Sequence, residues 1–99
     1  MEFNFKLKVG DVVQLVKKIE SIYKCDDWNA GFYRVERIYP SYGATGKDLQ
    51  RADCQCYTFE KVRKNGVPYK VKRYYGYRCI AFDKFIADGQ AEVVDNFAS

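Results

Sequence analysis

Five cations and three aromatic rings lie between Tyr57 and Arg78: Lys61, Arg63, Lys70, Lys72 and Arg78, with Tyr57, Phe59 and Tyr74. Lys and Arg attract phosphate whatever the base sequence, and a ring gives an unpaired base a surface to stack on. Both kinds on one sheet face suit RNA or single-stranded DNA. An acidic protein surface presents the same negative charge, so it is the alternative partner. The charge itself is concentrated. Lys61 to Arg78 holds 7 basic residues and no acidic one, Met1 to Glu60 balances 9 against 9, and Cys79 to Ser99 sets 1 Lys against 4 acids. The net charge of +4 on this 99-residue chain therefore resides in one stretch.

Other chemistries are weaker. Cys25, Cys54, Cys56 and Cys79 supply the four thiolates of a structural zinc site. Residues i and i+2 on a strand do not reproduce a Cys-x-x-Cys turn, however, and burial in a core accounts for cysteine without a metal. Gly43-Ala-Thr-Gly-Lys-Asp48 is a fragment of a phosphate-binding loop, but Ser41 takes the place of its first glycine and Asp48 that of the magnesium-binding hydroxyl. Asp26, Asp27, Asp48 and Asp53 could assemble a metal-dependent nuclease site, although acids in such segments ordinarily form turns. There is no histidine, which removes the commonest general base and the Ser-His and Cys-His pairs. The inventory describes a binding module, not an enzyme, with no cofactor and no small-molecule substrate.

The elements that must position these side chains follow from pattern. Cys54 to Lys64 and Val67 to Ile80 are rich in β-branched and aromatic residues and flank Asn65-Gly66, the pair that most cheaply gives a two-residue hairpin turn. That turn pairs Lys64 with Val67, Val62 with Tyr69, Thr58 with Arg73, Cys56 with Tyr75 and Cys54 with Tyr77. One face then carries Cys54, Cys56, Thr58, Val62, Val71, Tyr75 and Cys79 as core, and the other carries the five cations and three rings. If the hairpin instead buries both faces near its base, those rings become a second core layer with lysines snorkelling around them.

Before the hairpin, Phe3, Phe5, Leu7 and Val9 alternate like a half-buried strand, and Gly10-Asp11 turns into a second strand over Val12 to Ile19. Glu20 to Ala30 has no clean period and reads as a loop pinned by Trp28. Gly31 to Tyr39 is a strand with Tyr33, Val35 and Ile38 inward, ended by Pro40. Ser41 to Asp53 is a loop with room for one helical turn over Lys47 to Ala52. After the hairpin, Phe82, Phe85 and Ile86 at i, i+3 and i+4 ahead of Gly89 predict a short helix, and Ala91 to Val94 a last strand.

Lys8-Val-Gly-Asp-Val-Val-Gln-Leu-Val16, a long loop, then Gly31-Phe-Tyr-Arg-Val-Glu-Arg-Ile38 is similar to the opening of SH3-like barrels, including the KOW type. The resemblance covers about a third of the chain. It implies a superfold used to bind RNA, DNA or protein segments, which does not by itself fix function. The expectation is a single domain over 1–99: mainly β, a small, strongly bent antiparallel barrel, SH3-like or alternatively OB-like, with one short C-terminal helix. No apolar run is long enough to span a membrane, and the start lacks a secretory signal, so the reading is cytoplasmic with reduced thiols. The partner is then nucleic acid or, for a protein interaction module such as a small phage-type inhibitor or accessory protein, an acidic surface. The chain itself is a monomer or an edge-strand dimer.

Overall fold

The alternating and β-branched runs form five strands: β1 (Val12–Leu15), β2 (Gly31–Pro40), β3 (Gln55–Val62), β4 (Tyr74–Arg78) and β5 (Ala91–Val94). The computed structural model describes residues 3–17, 28–40 and 45–94, except for the side chain at position 48. The fold is mainly β, one antiparallel sheet in the order β4-β3-β2-β1-β5, with a single α-helix, α1 (Cys79–Ala87), among the described residues. The first four strands make a meander, and β5 returns beside β1. The expected barrel does not close. β4 and β5 end the sheet as two separate edges, and α1, packed against β3, β4 and β5, covers one face between them.

The sheet bends within β2, where Glu36 is an extra residue between Val35, paired with Phe59, and Arg37, paired with Thr58. The bulge lets Tyr33 and Val35 before it, and Ile38 after it, all pack toward the core. Opposite them Tyr57 and Phe59 are fully buried, as are Val13 and Leu15 from β1 and Ala91 from β5. Trp28 is 1 % exposed at the centre, with ring centroids 5.1–5.9 Å from Tyr33, Phe59, Tyr75, Tyr77 and Phe82. These aromatic rings interdigitate in tilted and edge-on pairs, the geometries their quadrupoles favour, and each buried large apolar side chain contributes about 1.5–3 kcal/mol. Trp28 is thus fixed in the body, while residues 20–27 of the loop expected before it lie outside the described residues.

The helix follows its sequence signals. Phe82 is buried and Phe85 and Ile86 pack beside it. Gln90 N–H donates to Phe85 O at 2.9 Å and Gly89 N–H to Ile86 O at 3.2 Å, a Schellman closure in which Gly89 takes a φ of 81° that a side chain would resist. Residues 46–50 and 52–54 form two short 3-10 turns where one helical turn was expected.

Three strand expectations are corrected. Phe3 to Val9 forms no strand, although burial still alternates from Phe3 to Leu7; Val9 is exposed. Leu7 is in the core with Phe5 against it, held by hydrogen bonds to side chains: Leu7 N–H donates to the Tyr57 hydroxyl at 3.3 Å, and Lys6 N–H to Asp83 Oδ2 at 3.2 Å. Tyr57 in turn donates to Asp83 Oδ1 at 2.7 Å. The second strand stops at Leu15, with Val16 exposed, and Ile19 lies outside the described residues.

The third correction is the hairpin register. Arg63 N–H donates to Val67 O at 2.9 Å and Gly66 N–H to Arg63 O at 2.8 Å, so the loop is three residues, Lys64-Asn65-Gly66, with Gly66 at φ 82°. Asn65 Oδ1 accepts the Val67 N–H at 3.1 Å, a side-chain capture that the two-residue expectation overlooked. Val62 bridges Pro68, whose missing N–H faces away from β3. Tyr69 to Lys72 then leave the ladder, which resumes with Glu60 opposite Tyr74, Phe59 opposite Tyr75, Tyr57 opposite Tyr77 and Cys56 opposite Arg78. The two strands are therefore out of the expected register by an odd number of residues. On β3 the expected faces are exchanged.

Candidate functional site

Exchange of the β3 faces divides the predicted basic aromatic surface. Tyr57 and Phe59 are 0 % exposed in the core and offer no base a surface. The alternative, all three rings in a second core layer, is met only in that these two are buried: they belong to the main core, and Tyr74 does not join them. Burial holds the Tyr57 phenol, above all, well over the usual tyrosine range, and donation to Asp83 adds to this. Tyr74 remains outside, exposed on the opposite face of β4. Arg78 ends β4 far along the strand from the turn, where its Nη1 donates to Asp53 O at 3.3 Å.

At the tip, charge gathers. Lys61, Arg63, Lys70 and Arg73 line one groove of about 440 Å³ with Tyr69 and Val71, and Arg63, Lys64 and Asn65 line a second of about 490 Å³. Lys72 lies in the same unpaired run, exposed. None of these six cations is ion-paired with a described residue; the ion pairs there are those of Arg34 and Arg51. Two side chains are preset. The Arg63 guanidinium stands 5.2 Å from the Tyr69 ring centroid, and Lys61 runs beside Gly31 with its ammonium 6.0 Å from the Tyr33 ring. Tyr69 is 41 % exposed and Val71 71 %, so apolar surface is interleaved with the charge.

Of the predicted set, then, the structure brings Lys61, Arg63 and Lys70 together with Lys72 beside them, and separates Tyr57, Phe59, Tyr74 and Arg78. Tyr69, Arg73 and Lys64 complete the patch. The two-residue turn assigned Tyr69 and Arg73 to the core face; the signal that points to them is the unbroken basic run itself, following a proline that cannot pair on both sides.

β4 has no strand beside its outer edge among the described residues. Lys61 N–H donates to Arg73 O at 3.0 Å, which sets the ladder phase: residues 73, 75 and 77 bond to β3, and Tyr74 and Gly76 turn their backbone N–H and C=O groups outward, while Arg78 leads into α1.

On the sheet face opposite the aromatic core, Glu60 is 1 % exposed and ion-paired with Arg34. Its Oε2 and the neighbouring Thr58 Oγ1 have no hydrogen-bond partner among the described residues. Cys54 and Cys56 are half-buried toward this face rather than in the core, while Cys79 is buried at the start of α1. Burial pushes the Cys79 thiol far up, with the charges of Cys56 and Asp83 adding to it, and burial likewise raises Cys56 against the opposing pull of Arg78. Both are therefore held as neutral thiols. No cluster able to hold a metal forms among the described residues; Cys25, with Asp26, Asp27, Ser41 and Gly43, lies outside them. No described helix is long and apolar enough to cross a membrane.

Compared with models of known protein families, with curated proteins and with solved structures, the chain matches none.

Proposed function

We propose that the protein is a non-catalytic module that binds nucleic acid, RNA or single-stranded DNA, through the tip of the β3–β4 hairpin. The observation that carries this reading is the cluster of Lys61, Arg63, Lys64, Lys70, Lys72 and Arg73, unpaired with any described acid and interleaved with exposed Tyr69 and Val71. Concentrating like charges at a projecting tip carries a repulsive cost, and a polyanion that releases its counterions offsets it. Fluorescence titration with single-stranded and double-stranded oligonucleotides at two salt concentrations tests the reading. Binding in the micromolar range at low salt is expected, with a slope of log K on log salt of about −2.8 if four groove cations each engage a phosphate of a single strand. Lys70→Glu/Lys72→Glu should weaken binding to every sequence alike. Absence of micromolar binding at low salt overturns the proposal.

The outer edge of β4, uncovered by any strand among the described residues, favours a second reading, an acidic protein segment added as a further strand beside Tyr74 and Gly76. Pull-down from nuclease-treated lysate, competed by an acidic peptide, discriminates it.

A further inference from the structure

We infer that Tyr69 is a base-stacking platform and that the groove beneath it admits one unpaired nucleotide, so that the hairpin tip prefers single strands to duplex. The inference rests on the nucleic-acid reading above and deepens it. Its first support is the groove's size. About 440 Å³ falls in the range of a site for one small ligand unit and far below what a double helix occupies. The second is chemistry: four cations share that groove with a single ring, Tyr69, and one branched apolar side chain, Val71. Charge alone would serve any polyanion. A ring and an apolar wall serve the part of a nucleotide that is neither charged nor, in a duplex, accessible.

The third support is the state of the ring. Arg63, fixed at its backbone by the bond to Val67 O, holds its guanidinium at 5.2 Å from the Tyr69 centroid, a cation–π contact that covers one face. Tyr69 is nevertheless 41 % exposed and follows Pro68, whose ring limits the backbone leading into it. A base entering the groove meets a platform already backed by a cation, completing a layered stack of guanidinium, phenol and base. Lys70 and Arg73 stand on either side of Val71 in sequence, within reach of the phosphates flanking that base. Since every base has a π face, the site reads strandedness and not sequence.

Anisotropy titrations at one salt concentration, with probes of equal length, test this: labelled oligothymidylate, the same strand with abasic sugars throughout, a duplex, and poly-glutamate. The wild-type protein should bind oligothymidylate roughly ten-fold more tightly than the abasic strand, the size expected of one stacked base. Tyr69→Ala should abolish that ratio, and Tyr69→Phe should retain it. Equal wild-type affinity for the two single strands overturns the stacking site while leaving the nucleic-acid reading standing. So does a ratio that survives Tyr69→Ala. Failure of the wild-type protein to bind any nucleic-acid probe overturns both, and poly-glutamate binding as tight as oligothymidylate transfers the groove to an acidic polypeptide.

Discussion

Glu60 is the residue at which the sheet is most exposed to substitution. Its carboxylate is buried, one oxygen meets Arg34, and the other has no hydrogen bond from a described residue. Removing only the guanidinium leaves a buried charge without compensation, which costs about 3 kcal/mol. Arg34→Met should therefore lower the denaturant midpoint sharply, and Arg34→Met/Glu60→Leu should recover most of the loss, because an apolar pair carries no desolvation penalty. A double variant no more stable than the single one would show that the ion pair is needed for more than neutralisation. Titration offers a second residue-scale outcome. Burial raises the phenols of Tyr33 and Tyr57 above their unfolded values, so both states are protonated at neutral pH and these groups give no pH dependence there. Above about pH 10 the unfolded chain loses those protons and the fold does not, so stability must fall as pH rises, by about 1.4 kcal/mol per pH unit for each group. Urea midpoints measured from neutrality to strongly alkaline pH should stay level and then drop. For Tyr57→Phe the drop should be shallower.

The elements differ in how tightly they fix their neighbours, and the hairpin shows both extremes. Tyr69 to Lys72 lie outside the ladder, whereas Tyr74 to Arg78 pair residue for residue with β3. One glycine inserted after Lys70 only lengthens an unpaired run, at well under 1 kcal/mol. The same glycine inserted after Gly76 turns Tyr77 away from Phe82 and Trp28 and should cost several kcal/mol, read as a fall in melting temperature. Equal tolerance at both points would contradict the register. This contrast also explains what was legible in the sequence. The α1 pattern, its glycine closure, β2 and β5 depend on residues near one another, and each appeared where Phe82, Phe85, Gly89 and the alternating runs place it. The faces of β3 depend on a turn that Asn65 alters by capturing Val67 N–H, and on a break in pairing that no residue type announces. Burial on both sides of β3, with Tyr57 and Phe59 inward and Glu60 and Val62 also covered, erases the alternation that would have corrected it. Lys70 and Lys72 remain exposed whichever way β3 faces, because they lie beyond the ladder. Tyr57 and Phe59, on β3 itself, do not.

In the whole molecule, most of the basic tip lies beyond the paired part of the two strands that carry the aromatic core. Charge reversal at Lys70 and Lys72 should therefore leave the melting temperature almost unaltered while weakening binding, and a loss of both together would mean that the tip is part of the folding core. A different arrangement ties an irregular segment near the start of the chain to β3 and α1 through Tyr57 and Asp83. Amide exchange makes its consequence measurable. Leu7 belongs to no strand or helix, yet its N–H is buried against the Tyr57 hydroxyl, so it should exchange with solvent on the timescale of the sheet amides and not of a chain terminus. Tyr57→Phe removes the acceptor oxygen. It should release the Leu7 amide to fast exchange while β3 stays protected, so that a single side-chain oxygen governs the protection of an amide outside every strand and helix.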